Sequence, residues 1–430
     1  MNREDQGISI VFLHSCRIEI VLCGPVRIGP VVPIDMMIVM FTLIMMLCFL
    51  QPDVLAADSR SPDALATSLA RSEDNRDELE LAIEGVPEDH RPDLIWMIER
   101  MPLSDLQSMT SNQLIRNVSL AREAHDASPW GKRIPLDIYR DAILPYACIN
   151  EKRDDWRAGF LKRFSPMVSE ARTTSEAAAI LNNTIFKTLG VVYSTQRPRA
   201  DQSPLESIDA GMASCTGLSI LLVDACRSVG IPARFVGTPL WSDGSGNHSW
   251  VEIYDSGQWH FTGAAEPVGE DLDKAWFAAR ASTAIEGHPQ HAILAVTWRQ
   301  VPLHFPLPWS SEDRSIRAVD VTSRYSSVAQ EVPEGMKQVR FVAIDHDGTR
   351  RSVAIRVTMP GSEKFLAGTT RDERFDTNDH LEMILPAESS IQVTAMWPSG
   401  QLVETHGLEG DQPLITLHPA PVEIRPSDPE

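Results

Sequence analysis

The sequence predicts an α+β protein with a helical N-terminal region, a mixed central core and a C-terminal β-sandwich. Three observations carry this. Residues 58–190 place apolar side chains at helical spacing in one segment after another. An apolar helix between Ala213 and Pro232 is followed by short strands around a tight turn. From Lys337 onward the pattern becomes short alternating strands, with turn signals about every ten residues. A length of 430 residues with 43% hydrophobic side chains suits two or three domains with real cores.

The first segment, 1–57, reads as a leader. Residues 36–50 form an uncharged apolar run, and Val54 and Ala56 sit as a small-residue cleavage site, so a signal peptide is expected and the mature chain would start near Ala57. No basic residue immediately precedes the run, and a start near Met36 would explain the long leader. The alternative is an uncleaved membrane tether through residues 36–50. Either way the protein is expected to work outside the cytoplasm. The formal charge of −20 argues against nucleic acid or an anionic membrane surface as partner.

Residues 58–172 form the helical region. Helical spacing runs over Arg76–Ile83, Asp93–Ile98, Asn112–His125, Leu136–Leu144 and Trp156–Ala171. The core is expected over 173–312 and opens with a helix from Thr174 to Leu189. A polar loop follows. The next helix has Ser214 as its N-cap and Cys215 in its first turn, and it stops at Gly230 and Pro232. A strand from Ala233 to Val236 and a Gly-rich loop lead to a hairpin, Asn247–Tyr254 and Gln258–Gly263, turning on Asp255-Ser-Gly257. Trp276, Trp298 and Trp309 either wall a cleft or form an outer layer of the core. A linker is expected at 313–336, a β-sandwich at 337–418 and a Pro-rich acidic disordered tail at 419–430.

A thiol at a helix N-terminus meets unpaired N–H groups and the positive end of the helix dipole, which favour a thiolate. The alternative is that Cys215 is one more small buried residue. His248 starts a strand, off its aliphatic face, after a loop that can bring it to the helix start. That pairing is what thiol acyl transfer needs. Removing residues 1–56 leaves Cys148, Cys215 and Cys226, an odd set with at least one free thiol. No His or Cys spacing suggests a metal, and no cofactor is expected.

Cys at a helix start, Arg227-x-x-Gly-Ile-Pro-Ala-Arg234, His248-x-Trp-Val-Glu-x-Tyr254 and a Gly-x-Trp strand resemble the transglutaminase-like superfamily. The likeness is close over Asp201–Pro267. Ala142–Tyr146 and Asp154–Arg157 resemble flanking segments of its secreted bacterial members. The resemblance implies a papain-type core with Cys215 as nucleophile and His248 as base. It also implies a side-chain oxyanion donor ahead of the Cys, for which Gln196 and Gln202 are candidates beside the Cys215 backbone N–H. Trp250 is a further candidate substrate-binding residue.

The resemblance expects an Asp at the position of Gly263. With the expected turn, His248 faces Ala264, which cannot accept a hydrogen bond either. Glu266, followed by Pro267, is the nearest carboxylate and the expected orienter of His248; Asn247, a backbone carbonyl or no group are the alternatives. The expected function is a cysteine peptidase or amidase acting on a protein or peptide. Cross-linking through a lysine amine and an inactive binding module of the same fold are the alternatives.

Overall fold

The computed structural model describes residues 63–326, 332–359, 361–362, 364–408 and 414–420. The expected signal segment and the tail from 421 onward lie outside the described residues. Among those described, no helix is long and apolar enough to cross a membrane.

Six helices form the N-terminal layer: α1 (Ala64–Arg71), α2 (Arg76–Gly85), α3 (Arg91–Ile98), α4 (Leu103–Leu106), α5 (Ser111–Ala127) and α6 (Leu136–Ala142). α5 begins with a reciprocal cap in which the Thr110 hydroxyl accepts from Gln113 N–H and the Gln113 side chain accepts from Thr110 N–H. Leu79, Leu94, Met97, Leu114 and Tyr139 share the interior of this layer. The helix expected over Trp156–Ala171 is shorter. α7 covers Arg157–Phe164 and gives way to a 3₁₀ turn at Ser165–Val168, because Pro166 cannot donate into a continuing helix.

The expected division at residue 172 does not separate two packed bodies. Trp130, Trp156, Phe160 and Phe164 share one apolar cluster with Leu218, Leu221 and Leu222. Arg157 ties the parts together, donating to Asn117 of α5 (2.8 Å) and to the carbonyls of Pro145 (2.8 Å) and Arg227 (3.1 Å).

α8 spans Thr174–Leu189, capped by Thr173 and ended by Gly190 at φ 72°. β1 (Val192–Tyr193) pairs in parallel with β2 (Met212–Ala213). Between them α9 (Pro204–Ala210) begins with a Ser203–Glu206 capping box, within the stretch expected to be irregular. α10 runs Cys215–Ser228. The central sheet has the order β5-β4-β3-β6-β7, with β3 Ala233–Thr238, β4 His248–Asp255, β5 Gln258–Thr262, β6 Leu294–Val296 and β7 Ala318–Asp320, every pairing antiparallel. One face carries Phe235, Val251 and Ile253 to the α10 side. The other carries Val236 and Trp250 to Phe277 and Tyr325. α11 is Ala278–Ala281 and α12 Thr322–Ser326.

Two expectations change here. β7 and α12 fall in the expected linker, yet they complete the core. The Tyr325 hydroxyl donates to Glu252 (2.8 Å) and accepts from Trp250 (2.7 Å), and the Glu252 carboxylate is paired with Arg234. The hairpin is one residue tighter than expected. Asp255 pairs with Gln258, and Ser256 and Gly257 both take positive φ, the turn whose twist suits a hairpin.

The C-terminal region is a sandwich of two sheets, β10-β9-β12-β13 and β11-β8-β14, formed by β8 Met336–Ala343, β9 Ala354–Thr358, β10 Phe365–Thr369, β11 Leu381–Pro386, β12 Ser390–Trp397, β13 Gly400–Gly407 and β14 Leu414–Leu417. Alternate residues such as Val339, Phe341, Ile355, Val357, Ile391 and Val393 fill the space between the sheets.

Candidate active site

Cys215 is the first residue of α10. Ser214 caps the helix, its hydroxyl accepting from Gly217 N–H and donating to the Ala200 carbonyl (2.7 Å). Gly217 permits a close approach of the preceding chain. A Cβ there would stand 2.9 Å from that of Ala213 and 3.3 Å from the Ser207 hydroxyl. Cys215 is partly exposed as a residue, whereas Cys148 and Cys226 are buried, and all three are free.

His248 opens β4 opposite Thr238 of β3 and is 1% exposed. Its ring lies among Trp241, Trp250, Trp276 and Phe277, with centroids 6.2, 5.8, 4.8 and 4.9 Å away. A carboxylate faces each ring nitrogen at ion-pair distance. Glu266 Oε2 is 3.7 Å from Nε2, and Asp376 Oδ2 is 3.5 Å from Nδ1. Cys215 Sγ, a His248 ring nitrogen and an Asp376 oxygen lie within 4.8 Å of one another. Burial opposes a charged imidazole, but the Asp376 charge, with contacts to Asp376, Cys215 and Glu266, outweighs it and raises His248 well above its ordinary range. The aromatic faces around the ring also suit a cation.

Glu266 reaches Nε2 because residue 263 has no side chain. A Cβ on Gly263 would stand 2.6 Å from Glu266 Oε2. The Glu266 carboxylate therefore lies against the place where an Asp at 263 would begin. The turn is fixed by Asn182 of α8, which donates to the Gly263 carbonyl (2.8 Å) and accepts from Ala265 N–H (2.9 Å), with Ala265 at φ 64°. Trp276 Nε1 donates to the same Glu266 oxygen at 2.8 Å.

Asp376 was not legible in the sequence. It comes from the β10–β11 loop of the sandwich and is 1% exposed. Its Oδ1 accepts from Asn378 N–H (2.9 Å) and the Asn378 amide (3.3 Å), and Arg350 donates to its carbonyl (2.8 Å). Burial works against its charge, but the charge of the nearby His248 ring and the hydrogen bonds from Asn378 hold the carboxyl below its usual range. The only local signal is Asp376-Thr-Asn-Asp379, an ordinary polar turn.

The other expected site residues are placed differently. Trp250 is fully buried and donates to Tyr325, so it backs His248 and cannot touch substrate, which corrects that assignment. Gln202 is buried with its amide turned onto the carbonyls of Met212 (3.1 Å) and Glu206 (3.4 Å), so both N–H groups are spent on backbone. Gln196 is exposed on its loop. Neither Gln is aimed as an oxyanion donor, while the backbone N–H groups of the first turn of α10 have no partner within the helix. Cys215, His248 and Asp376 are also a donor set of the type that holds a transition metal. A second such set, Cys148, Glu151 and Asp224, is countered by Arg153 (3.6 Å from Glu151) and Arg227 (3.9 Å from Asp224).

Residues 162–263 match the family model of the transglutaminase-like superfamily. The matched stretch is similar to a transglutaminase-like core. It contains Cys215 and His248 and ends at Gly263, before Glu266 and Asp376. Similar solved structures include a candidate cysteine protease from Cytophaga hutchinsonii, with 18% identity over 26% of this chain and 43% of that one and a TM-score of 0.22. A candidate protease from Parabacteroides distasonis has 11% identity over 69% and 54% of the two chains, with a TM-score of 0.24. The transglutaminase of red sea bream has 12% identity over 70% and 60%, with a TM-score of 0.20. The chain thus spans between 43% and 60% of the length of these three structures. No curated protein matches the sequence.

Proposed function

We propose that the protein is a thiol acyl-transfer enzyme, a cysteine peptidase or amidase that cleaves peptide or side-chain amides through a thioester on Cys215. The observation that carries this is the meeting of a partly exposed cysteine at a helix N-terminus with a buried histidine that is flanked by carboxylates. The Cys215 thiolate attacks the amide carbonyl carbon and the C=O electron pair moves onto oxygen, towards the Cys215 backbone N–H at the start of α10. As the C–N bond breaks, the His248 imidazolium gives its proton to the departing amine. The neutral imidazole then takes a proton from water as water attacks the thioester, and the thiolate leaves. Glu266 keeps the ring oriented through both half-reactions.

The test is incubation of the protein with casein and a fluorescent primary amine. Ammonia or new N-termini support hydrolysis. Fluorophore bound to casein supports cross-linking instead. Neither product, with Cys215 intact, refutes turnover and leaves a binding module.

A further inference from the structure

Among the described residues, the sandwich enters the site through the β10–β11 loop, and that loop is latched to both halves of it. The Tyr193 hydroxyl in β1, the strand paired with the one that leads into Cys215, meets the Thr377 hydroxyl (2.9 Å) and accepts from Thr377 N–H (3.1 Å). Asn378 donates to the carbonyl of Asn247, next to His248 (3.1 Å). Gly246, at φ 132°, lets the backbone come close, since a Cβ there would lie 3.2 Å from the Asn378 side chain. A carboxylate buried to 1% exposure is costly unless a charge or several donors face it. What faces Asp376 Oδ2 is the Nδ1 edge of His248.

We infer that Asp376 is a positioning residue of the active site. The C-terminal sandwich lends its carboxylate to the Nδ1 side of His248, so the imidazole is clamped between Glu266 of the core and Asp376 of the sandwich. Its catalytic meaning rests on the acyl-transfer reading above, while the clamp itself does not. Two carboxylates at ion-pair distance from opposite nitrogens disfavour turning the ring away from either side, which one contact alone would do less well. They also keep it protonated until a leaving group arrives. A loop serving only to hold the sandwich in place would not require a buried acid aimed at a catalytic base.

Among the described residues, the charged and titratable groups facing this ring or its clamp include Cys215 on α10, Glu266 after β5, Asp376, Asp379, Arg371 and His380 on the sandwich loop, Arg350 before β9 and Tyr193 on β1. Burial and the charges of Asp376 and Cys215 push the Tyr193 phenol up to about 12, so it stays neutral across the working range.

The experiment follows the ring protons of His248 by NMR in the full chain, labelled at histidine and assigned with His248→Gln. Asp376→Asn should lower the His248 titration midpoint and cut casein turnover about tenfold or more. It should also move the alkaline limb of the pH profile downward. A folded Asp376→Asn protein with an unchanged midpoint overturns the inference. Should that variant fail to fold, two measurements remain. In the wild type the His248 Nδ1–H should appear at low field, as a carboxylate-bound proton does. Asn378→Ala, which removes the side-chain amide donor from Asp376 and the bond that ties the loop to Asn247 but keeps the backbone N–H, should shift the midpoint in the same direction by less. A solvent-like Nδ1–H, or no shift in Asn378→Ala, sinks the clamp. If the wild type turns over nothing but the midpoint still moves in Asp376→Asn, the clamp stands and only the acyl-transfer reading fails.

Discussion

α10 and the β10–β11 loop each bring one side chain to the same point, and different forces hold them there. Every residue of α10 from Thr216 to Ser228 is buried, with Leu218, Leu221 and Leu222 in the main apolar cluster. Each such side chain contributes about 1.5–3 kcal/mol by leaving water. The loop is held by hydrogen bonds from Arg350 and Asn378 and by the Tyr193–Thr377 contacts. Each of these has a net value of about 0.5–1.5 kcal/mol. Cys215 is thus carried by the core, whereas the acid on the far side of His248 is held by a few polar contacts.

The comparison is tested most severely at its fixed end. Cys215→Ala should reduce casein turnover by about 10⁶-fold with little change in the urea midpoint. In the folded wild type, iodoacetamide should label Cys215 and spare Cys148 and Cys226, whose thiols burial pushes up. Labelling of Cys226 first would contradict this. At the core carboxylate, Glu266→Ala should cost about 10²–10⁴-fold in turnover. Adding Gly263→Asp to that variant should restore part of the loss, because Glu266 no longer fills the space. No recovery would mean that the two positions are not equivalent.

The contrast in forces has its own test. Leu221→Ala should lower the unfolding free energy by about 2–5 kcal/mol. Tyr193→Phe should lower it by about 1 kcal/mol while slowing turnover. Equal destabilisation would erase the distinction between core and latch. The smallest effect concerns Asp379. Burial raises its carboxyl to about 7 against the pull of Arg371, with Glu266 and Asp376 adding to the rise. The folded chain then keeps a proton that the unfolded chain releases between the ordinary carboxylate range and about pH 7. The stability this gives is present at acid pH and drains away as pH climbs through that window. Asp379→Asn should therefore raise the melting temperature relative to wild type at about pH 8 and not at about pH 4. A gain of the same size at both would rule out the titration.

Much of this was legible where the causes are local. Thr173 and Gly190 bracket α8 at the bounds the pattern predicts, Thr174–Leu189. Cys215 announces itself by its place after Ser214, and Glu266 by its distance from His248 along a short hairpin. Local rules also explain two shortfalls. Pro166 cuts a helix that periodicity alone extends, and the Ser256–Gly257 turn is tighter than its sequence shows. Asp376 is different in kind. It is brought to His248 by a sandwich that folds around its own core, and no pattern within either segment encodes the meeting. Trp250 misleads for a related reason, since exposure is a property of the packed sheet and not of the strand.

The order of residues along the chain has a temporal consequence. A ribosome delivers Cys215 and His248 well before Asp376, because synthesis runs from the N-terminus. A nascent chain can therefore hold the thiol and imidazole with Glu266 alone beside them, until the last strands emerge and the latch at Tyr193 can form. Chains stalled on the ribosome before Arg371 should be far less active on casein than released ones; equal activity would refute this. On the acyl-transfer reading, translation would then act as a safety catch, leaving the proposed site half-assembled during the interval in which the chain's own unfolded segments are the nearest peptides.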